Sequence, residues 1–116
     1  MLENKNFKSI YVGTLGIKQK KRKFDNSFSS KTTPDIFELF EIISSLNLND
    51  PINICIEISS HALDQNRLGS ISYMNSTSIL NISSDHLDYH KNLPSYIDAK
   101  FKIFKIKSST KLIDDK

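Results

Sequence analysis

The sequence has 116 residues, of which 38% are apolar and 25% are charged, and its formal net charge is +3 at neutral pH. This length suits one small domain or part of a larger one, and the composition is typical of a globular protein. No apolar run approaches the roughly 18 residues of a membrane-spanning helix, and no apolar signal segment follows Met1. The single cysteine, Cys55, excludes an internal disulfide, and its apolar neighbours predict a buried small side chain. We therefore expect a reducing, cytoplasmic setting and no membrane partner.

Much of the positive charge lies in one run, KQKKRK at residues 18–23. Such a run can contact nucleic acid or phosphate. No aromatic side chain that would stack on bases is interleaved with the lysines. We therefore favour a solvated hairpin tip and predict no nucleic-acid partner.

The first half of the chain predicts a strand, a loop, a helix and a second strand. Residues 9–14 form a short β-type run that ends in a glycine turn, and residues 17–33 are polar, either a long loop or a ragged hairpin. Apolar residues recur at helical spacing over 36–46, where Pro34 suits the first helical position. Residues 52–58 are almost continuously apolar, which predicts a strand covered on both faces.

The second half repeats this alternation. Polar residues 59–66 precede a predicted strand at 77–82, and the polar, histidine-bearing segment 83–92 precedes a helix that Pro94 opens. Residues 111–113 resemble the start of a further strand. This order predicts an α/β fold with a mainly parallel sheet flanked by helices, with polar clusters after strand ends, where such sheets bind ligands. No linker divides the chain into two domains.

Three polar clusters contain side chains suited to chemistry. Glu57, followed by Ser59 and His61, comes directly after the apolar strand, and a buried carboxylate there needs a cation or hydrogen-bond donors. From the residues alone, Glu57 is equally well explained as a helix cap or the partner of a lysine. Residues 32–35, TTPD, offer hydroxyls and free N–H groups at a helix start. They either bind an anion or simply provide the N-cap of the helix, through Thr33 or Asp35.

The third cluster, DHLDYH at residues 85–90, places two histidines four residues apart. A zinc site built from His61, His86 and His90, with Asp85 in a metal-dependent hydrolase, is one reading. By spacing alone, two histidines on the surface of a helix are the better explanation.

Taken together, these clusters resemble one family. The string EISSHALDQNRL at residues 57–68 is very similar to EVSSHALDQGRV of the UDP-N-acetylmuramoyl-tripeptide synthetases, a class of Mur ligase. NISSDHLDYH at 81–90 is similar to their NLSRDHLDYH. YVGTLG at 11–16, TTPD at 32–35 and YIDAKFKIF at 96–104 match in the same order, so the resemblance covers nearly the whole chain.

The resemblance implies an ATP-dependent ligase that acts in peptidoglycan synthesis. Such enzymes activate the carboxylate of UDP-MurNAc-L-Ala-D-Glu as an acyl phosphate, which the amine of the third amino acid, diaminopimelate or lysine, then attacks. The implied cofactors are ATP and Mg²⁺. The sequence does not identify which amino acid is added.

By position, Glu57 and His86 match magnesium ligands of that family, and Lys100 matches a lysine that is carbamylated there. Magnesium prefers hard oxygen donors and tolerates an imidazole, and a carbamate on Lys100 is an anion with two oxygens, which an ammonium is not. The resemblance further implies a set of residues that hold the UDP-MurNAc peptide: Thr32, Thr33, Ser59, Gln65 and Arg67.

The ATP site of that family, a glycine-rich loop of the GTNGKT type, has no counterpart in the sequence. None of the glycines, Gly13, Gly16 and Gly69, is followed by lysine. We therefore expect residues 1–116 to be a partial P-loop-type central domain without its N-terminal UDP-binding and C-terminal domains. Such a fragment is expected to be inactive alone and to need the missing domains in trans.

Two other functions stay open. The chain is alternatively a non-catalytic Mur-like module that binds the UDP-MurNAc peptide, or a fragment of a ligase similar to cyanophycin synthetase. Ser84 stands where that tripeptide synthetase class usually has the arginine of NLSRDH, a change that removes a cation directly before the DHLDYH block.

Overall fold

The computed structural model describes residues 8–19, 22–23, 31–46, 52–69, 71–83 and 86–114, and only the backbone at 22–23. The chain divides into two compact units, Met1–Ser59 and Ser60–Lys116. Although the sequence shows no linker, this division falls directly after the second predicted strand. Among the described residues no helix has the length and apolar character needed to cross a membrane.

In its described residues, the first unit contains a four-stranded sheet and one helix. Its elements in chain order are β1 (Lys8–Gly13), β2 (Gly16–Gln19), β3 (Arg22–Lys23), α1 (Ile36–Ser45) and β4 (Ile52–Ile56). The strand order is β3-β2-β1-β4. Only β1 and β4 pair in parallel, because β1, β2 and β3 form antiparallel hairpins. The polar segment that begins at Ile17 therefore starts as a regular hairpin, and Gly16 supplies its left-handed residue at φ 81°.

Apolar residues from alternate positions of β1 build the core of this unit. Ile10 and Val12 cluster with Ile17 of β2 and Ile42 of α1, and all four are at most 6% exposed. Period-two alternation in β1 and helical spacing in α1 together bring these side chains into one layer.

The helix α1 begins at Ile36, two residues later than Pro34 at its first position would imply. Asp35 is the N-cap, and its carboxylate accepts hydrogen bonds from the N–H groups of Phe37 and Glu38, both at 3.0 Å. Glu38 Oε2 accepts in return from the Asp35 N–H at 2.8 Å, which completes a capping box. Pro34 therefore precedes the N-cap. Thr33, the alternative N-cap, bonds the Glu57 carbonyl and the Ser59 N–H instead.

The strand β4 is covered less than its apolar sequence predicts. Ile52 and Ile54 pack against the core cluster, whereas Cys55 is exposed. The prediction of two covered faces and a buried cysteine is therefore wrong, because strand alternation points Cys55 away from the face on which Ile54 packs.

The described part of the second unit contains a two-stranded parallel sheet and three short helices. Its elements are α2 (Ser60–Asp64), β5 (Tyr73–Ile79), α3 (Leu87–His90), α4 (Leu93–Phe101), a 3₁₀ turn (Lys102–Lys105) and β6 (Lys107–Ile113). Asn92 caps α4, whose first turn contains Pro94 as predicted. The helix α4 ends at Phe101, and Ile103 is buried in the 3₁₀ turn that follows it.

Both strands of the second unit begin earlier than predicted. β5 covers 73–79 rather than 77–82, and β6 begins at Lys107 rather than at Lys111. Their early residues are mostly polar, so hydrophobicity alone did not mark them. The α/β class is confirmed, but a mainly parallel sheet is not, because two pairings are parallel and two are antiparallel.

Candidate functional site

Glu57 lies at the carboxyl end of the parallel pair β1–β4. Its N–H donates to the Val12 carbonyl at 2.8 Å and so extends the pairing by one residue beyond β4. The backbone of β4 therefore determines where Glu57 leaves the sheet. This is the position at which open α/β sheets bind ligands.

Two residues at the end of β1 hold the Glu57 carboxylate. The Tyr11 hydroxyl donates to Oε2 at 2.6 Å, and the Thr14 N–H donates to the same oxygen at 2.9 Å. The Thr14 hydroxyl lies 3.1 Å from Oε1 and 3.2 Å from Thr32 Oγ1. Glu57 is exposed rather than buried, yet it has the hydrogen-bond donors that a buried carboxylate would require.

Gly13 leaves the space in which this arrangement forms. A Cβ at position 13 would meet the Tyr11 hydroxyl and would lie 2.6 Å from Glu57 Oε2. Both atoms are the far ends of side chains, so a larger residue would displace the carboxylate from its donors rather than distort the strand. A glycine is therefore required here for close approach.

The hydrogen bonds stabilise the ionised form of Glu57. The pKa of Glu57 is lowered, chiefly by the Tyr11 hydroxyl and further by Thr14, against the opposing effect of burial. Burial raises the pKa of Tyr11, and its bond to Glu57 raises it further. The site thus presents an ionised carboxylate, which suits a hard cation.

Three predicted precursor-binding residues lie beside Glu57 in the first unit. Thr33 is fully buried, and its hydroxyl donates to the Glu57 carbonyl at 3.0 Å and accepts from the Ser59 N–H at 2.9 Å. The Thr32 hydroxyl lies 3.2 Å from that of Thr14. The structure therefore brings Thr32, Thr33 and Ser59 together with Glu57. The two hydrogen bonds of the Thr33 hydroxyl fix the backbone on either side of Ile58.

Sequence reasoning missed Tyr11, Gly13 and Thr14 as site residues. They belong to the YVGTLG block, which was recognised without a role for any side chain. The available signal was alternation: Tyr11 and Gly13 share one face of β1, opposite to the buried Ile10 and Val12. On that face, the missing side chain of Gly13 leaves room beside Tyr11 for another group.

Gln65 and Arg67, the other predicted precursor ligands, follow α2 in the second unit. Arg67 Nε donates to Gln65 Oε1 at 2.8 Å, and Gln65 Nε2 donates to the Tyr89 hydroxyl at 3.3 Å. That hydroxyl donates to Asp64 at 3.1 Å, and Lys102 contacts the same carboxylate at 2.6 Å. The hydrogen bond from Lys102 lowers the pKa of Asp64, followed by that from Tyr89. The two predicted ligands are therefore adjacent and held by one chain of hydrogen bonds.

Three histidines of the second unit contact one another. The His61 ring lies 4.9 Å from that of His86 and 5.4 Å from that of His90, between centroids. His90 is buried, and its Nε2 lies 2.9 Å from Ser60 Oγ. His86 is exposed and adopts a left-handed backbone conformation, φ 55°, just before α3. Burial lowers the pKa of His61, and the electrostatic interaction with His86 and then with His90 lowers it further.

The zinc hydrolase reading gains no support from this arrangement. Within the described ranges, no group of three or more His, Cys, Asp or Glu side chains is placed to hold a metal ion. His90 uses its Nε2 for Ser60, and Asp85 lies outside the described residues. His90 therefore has a structural explanation, a satisfied core histidine.

Lys100 lies on α4 with its amine near a carbonyl and a ring. Its Nζ donates to the Asn81 carbonyl at 2.6 Å and lies 4.9 Å from the centroid of the Tyr96 ring. The predicted magnesium ligands are thus divided between the units: Glu57 belongs to the first, and His86 and Lys100 belong to the second.

Comparison with known proteins identifies similar chains. The family described as Mur ligase middle domain matches residues 1–114. A UDP-N-acetylmuramoyl-L-alanyl-D-glutamate--2,6-diaminopimelate ligase of Leptospira borgpetersenii is 34% identical over 95 residues, which are 82% of this chain and 18% of the relative. The relative with the same name, numbered 1, of Clostridium acetobutylicum is 36% identical over 118 residues, 100% of this chain and 23% of the relative. The chain therefore spans about a fifth of the length of these curated relatives.

Proposed function

The chain belongs to the Mur ligase middle domain family, and we propose that it forms the magnesium- and precursor-binding part of a peptidoglycan ligase. The reaction we propose for the whole enzyme is ATP-dependent addition of diaminopimelate or lysine to UDP-MurNAc-L-Ala-D-Glu. Relatives whose name specifies the diaminopimelate ligase support this choice. The observation that carries the proposal is the Glu57 carboxylate, which Tyr11 and Thr14 hold ionised at the carboxyl end of the β1–β4 pair.

The magnesium ligands in this proposal are Glu57, His86 and Lys100 as its carbamate. Bound Mg²⁺ neutralises the charge that develops on phosphoryl oxygens. Glu57 fits this metal, because it is an ionised oxygen ligand at an exposed position. His86 is also exposed, and one imidazole is compatible with a site otherwise made of oxygens.

Lys100 fits only after modification, since an ammonium repels a cation. Its ammonium group would lose one proton to give the neutral amine, and addition of that amine to carbon dioxide would release a second proton and leave a carbamate anion. The carbamate nitrogen keeps one N–H, so the hydrogen bond to the Asn81 carbonyl is compatible with the modification. Asn81 therefore serves in this proposal to orient the carbamate.

The precursor contacts in the proposal divide by chemistry. Arg67, already oriented by Gln65, offers a planar set of donors for a carboxylate or a phosphate. Thr32 and Ser59 offer hydroxyl groups beside Glu57. Thr33 is different, because its hydroxyl already bonds the Glu57 carbonyl and the Ser59 N–H, so a direct precursor contact would replace one of these bonds.

The test of precursor binding is an NMR titration of the isotope-labelled chain with UDP-MurNAc-L-Ala-D-Glu. We expect shifts at Thr32, Ser59, Gln65 and Arg67, and weaker shifts with UDP-GlcNAc, which lacks the lactyl dipeptide. Arg67→Lys should weaken binding about tenfold, because a lysine cannot make the bidentate contact. Lys105→Ala, at an exposed cation of the 3₁₀ turn, is the matched control and should bind as the wild type does. Equal shifts with both nucleotides, or none at these residues, would contradict the proposal.

We expect this chain to bind the precursor without turning over ATP. No ATP contact is assigned to its residues, because none of Gly13, Gly16 and Gly69 is followed by the lysine of a phosphate-binding loop. Incubation with ATP, Mg²⁺, precursor and diaminopimelate should release no more ADP than the Glu57→Gln variant does. Release of ADP above that control, with formation of the tripeptide product, would show that the chain is catalytic as it stands.

A further inference from the structure

The two oxygens of the Glu57 carboxylate are not equivalent. A carboxylate oxygen offers about two lone-pair sites. Oε2 accepts from both the Tyr11 hydroxyl and the Thr14 N–H, so its sites are filled. Among the described residues, Oε1 is contacted only by the Thr14 hydroxyl, and at the longer distance of 3.1 Å.

The filled oxygen is also the enclosed one. Oε2 and the Tyr11 hydroxyl both lie against Gly13, so closely that a Cβ there would lie 2.6 Å from Oε2. A cation that approached Oε2 would have to displace the Tyr11 hydroxyl or the Thr14 N–H. The 2.6 Å bond from Tyr11 is charge-assisted and therefore among the stronger hydrogen bonds in proteins.

The remaining donor on Oε1 can turn away. The Thr14 hydroxyl has one proton, and Glu57 Oε1 at 3.1 Å and Thr32 Oγ1 at 3.2 Å are alternative acceptors for it. When the proton points to Thr32, Oε1 is available for a cation. The geometry thus makes Glu57 a ligand through one oxygen.

We propose that Tyr11 is a positioning residue that occupies Oε2 of Glu57, limits this carboxylate to one-oxygen ligation and so favours Mg²⁺ over Ca²⁺. Mg²⁺ requires a compact, near-octahedral shell, whereas the larger Ca²⁺ readily takes both oxygens of a carboxylate. This inference rests on the proposed role of Glu57 as a metal ligand. It adds that Tyr11 determines which oxygen of Glu57 is available to a metal ion, and therefore whether Mg²⁺ or Ca²⁺ is preferred.

The test compares the two ions on the whole 116-residue chain, each added alone as its chloride, with the Glu57 carboxyl carbon followed by NMR. In the wild type we expect Mg²⁺ to half-saturate the shift at a lower concentration than Ca²⁺ does. In Tyr11→Phe, Oε2 keeps its bond from the Thr14 N–H, but its second lone-pair site is released, and the preference for Mg²⁺ should fall at least about threefold. Tyr73→Phe is the matched control: it removes a phenol hydroxyl that bonds Ser109 at 2.6 Å and should leave the preference unchanged.

The preference between ions separates positioning from folding, because a merely destabilising change would weaken both ions alike. An unchanged preference in Tyr11→Phe would overturn the inference and leave Glu57 as a ligand. A wild-type chain that binds Ca²⁺ at least as tightly as Mg²⁺ overturns it without any variant. If Tyr11→Phe does not fold, Gly13→Ala provides the same comparison, since its Cβ displaces Oε2 from its donors.

Failure of the underlying metal role gives a different result. If neither ion shifts the Glu57 carboxyl signal in the wild type, both the inference and the metal assignment are wrong. The precursor titration described above then still decides whether the chain binds UDP-MurNAc-L-Ala-D-Glu. The two experiments therefore distinguish an incorrect ion preference from an incorrect function.

Discussion

In the first unit, Glu57 is oriented by Tyr11 and Thr14, which reach it from the neighbouring strand. In the second unit, the rings of His61 and His90 contact each other between short helices. The donors in the first unit leave one carboxylate oxygen accessible. In the second unit, His90 is buried and bonded to Ser60. The polar motifs of the two units thus have different roles. Glu57 follows a strand and is exposed, whereas His90 is buried among the short helices of the second unit.

The largest effect should come from removing the core on which the first arrangement depends. Ile42 is 1% exposed and packs with Ile10, Val12 and Ile17. Ile42→Ala should lower the free energy of unfolding by about 2–5 kcal/mol, measured by urea denaturation with circular dichroism. Phe37→Ala on the same helix, at a side chain 79% exposed, should change it by less than about 0.5 kcal/mol. Equal losses in the two variants would mean that the core lies elsewhere.

The second test asks whether His90 is structural, as the comparison requires. His90→Ala removes a buried ring and leaves the buried Ser60 hydroxyl without its partner, which should cost about 2–4 kcal/mol of unfolding free energy. Asp88→Ala, at an exposed position of the same short helix, is the control and should have little effect. A His90→Ala chain as stable as the control would contradict a structural role.

Within the first unit, Thr33 is a predicted precursor ligand whose hydroxyl also has a structural role, because it bonds the backbone of two neighbouring residues. Thr33→Val keeps the shape but leaves the Glu57 carbonyl and the Ser59 N–H without this partner, at a cost of about 1–3 kcal/mol in urea denaturation. Thr32→Val removes only a 3.2 Å contact from the half-buried neighbour and should cost less. If Thr32→Val lowered the free energy of unfolding more than Thr33→Val does, the structural role assigned to Thr33 would be wrong.

The smallest effect concerns Asp64, whose pKa is lowered mainly by the hydrogen bond from Lys102. A carboxylate with a lowered pKa in the folded state stabilises the fold above its unfolded pKa of about 3.9, and this contribution is lost as the pH falls through the folded value. Because Asp64 is 39% exposed, the contribution should stay below about 1 kcal/mol and should shrink in high salt. Asp64→Asn should therefore lower stability at pH 7 but not at pH 2, by thermal unfolding. An equal loss at both values would show that charge is not the cause.

Several local features were predictable from the sequence. The helix over 36–45 was expected from its apolar spacing, and Pro94 was expected at the start of α4. Glu38, three residues after Asp35, was the signal that would have chosen Asp35 over Thr33 as the cap. Each of these features depends on residues within one turn of helix, which is why the chain order alone reveals them.

Other features depended on pairing between distant segments. Cys55 is exposed although its strand is apolar, because burial depends on which face meets Ile42 and its neighbours. The early residues of β6 are polar and form a strand because they pair in register with β5, as Tyr73 does with Lys107. The hydrophobicity of a short segment does not show which distant strand pairs with it.

The sequence by itself determined the family resemblance, the α/β class and the position of Glu57 directly after an apolar strand. Only the tertiary structure decided that Tyr11, a residue 46 positions away, donates to Glu57. The physical reason is the parallel register of β1 and β4, which pairs Val12 with Ile56 and brings the ends of the two strands together. Sequence order identifies the carboxylate, whereas the register of the sheet selects its donors and the oxygen that remains accessible.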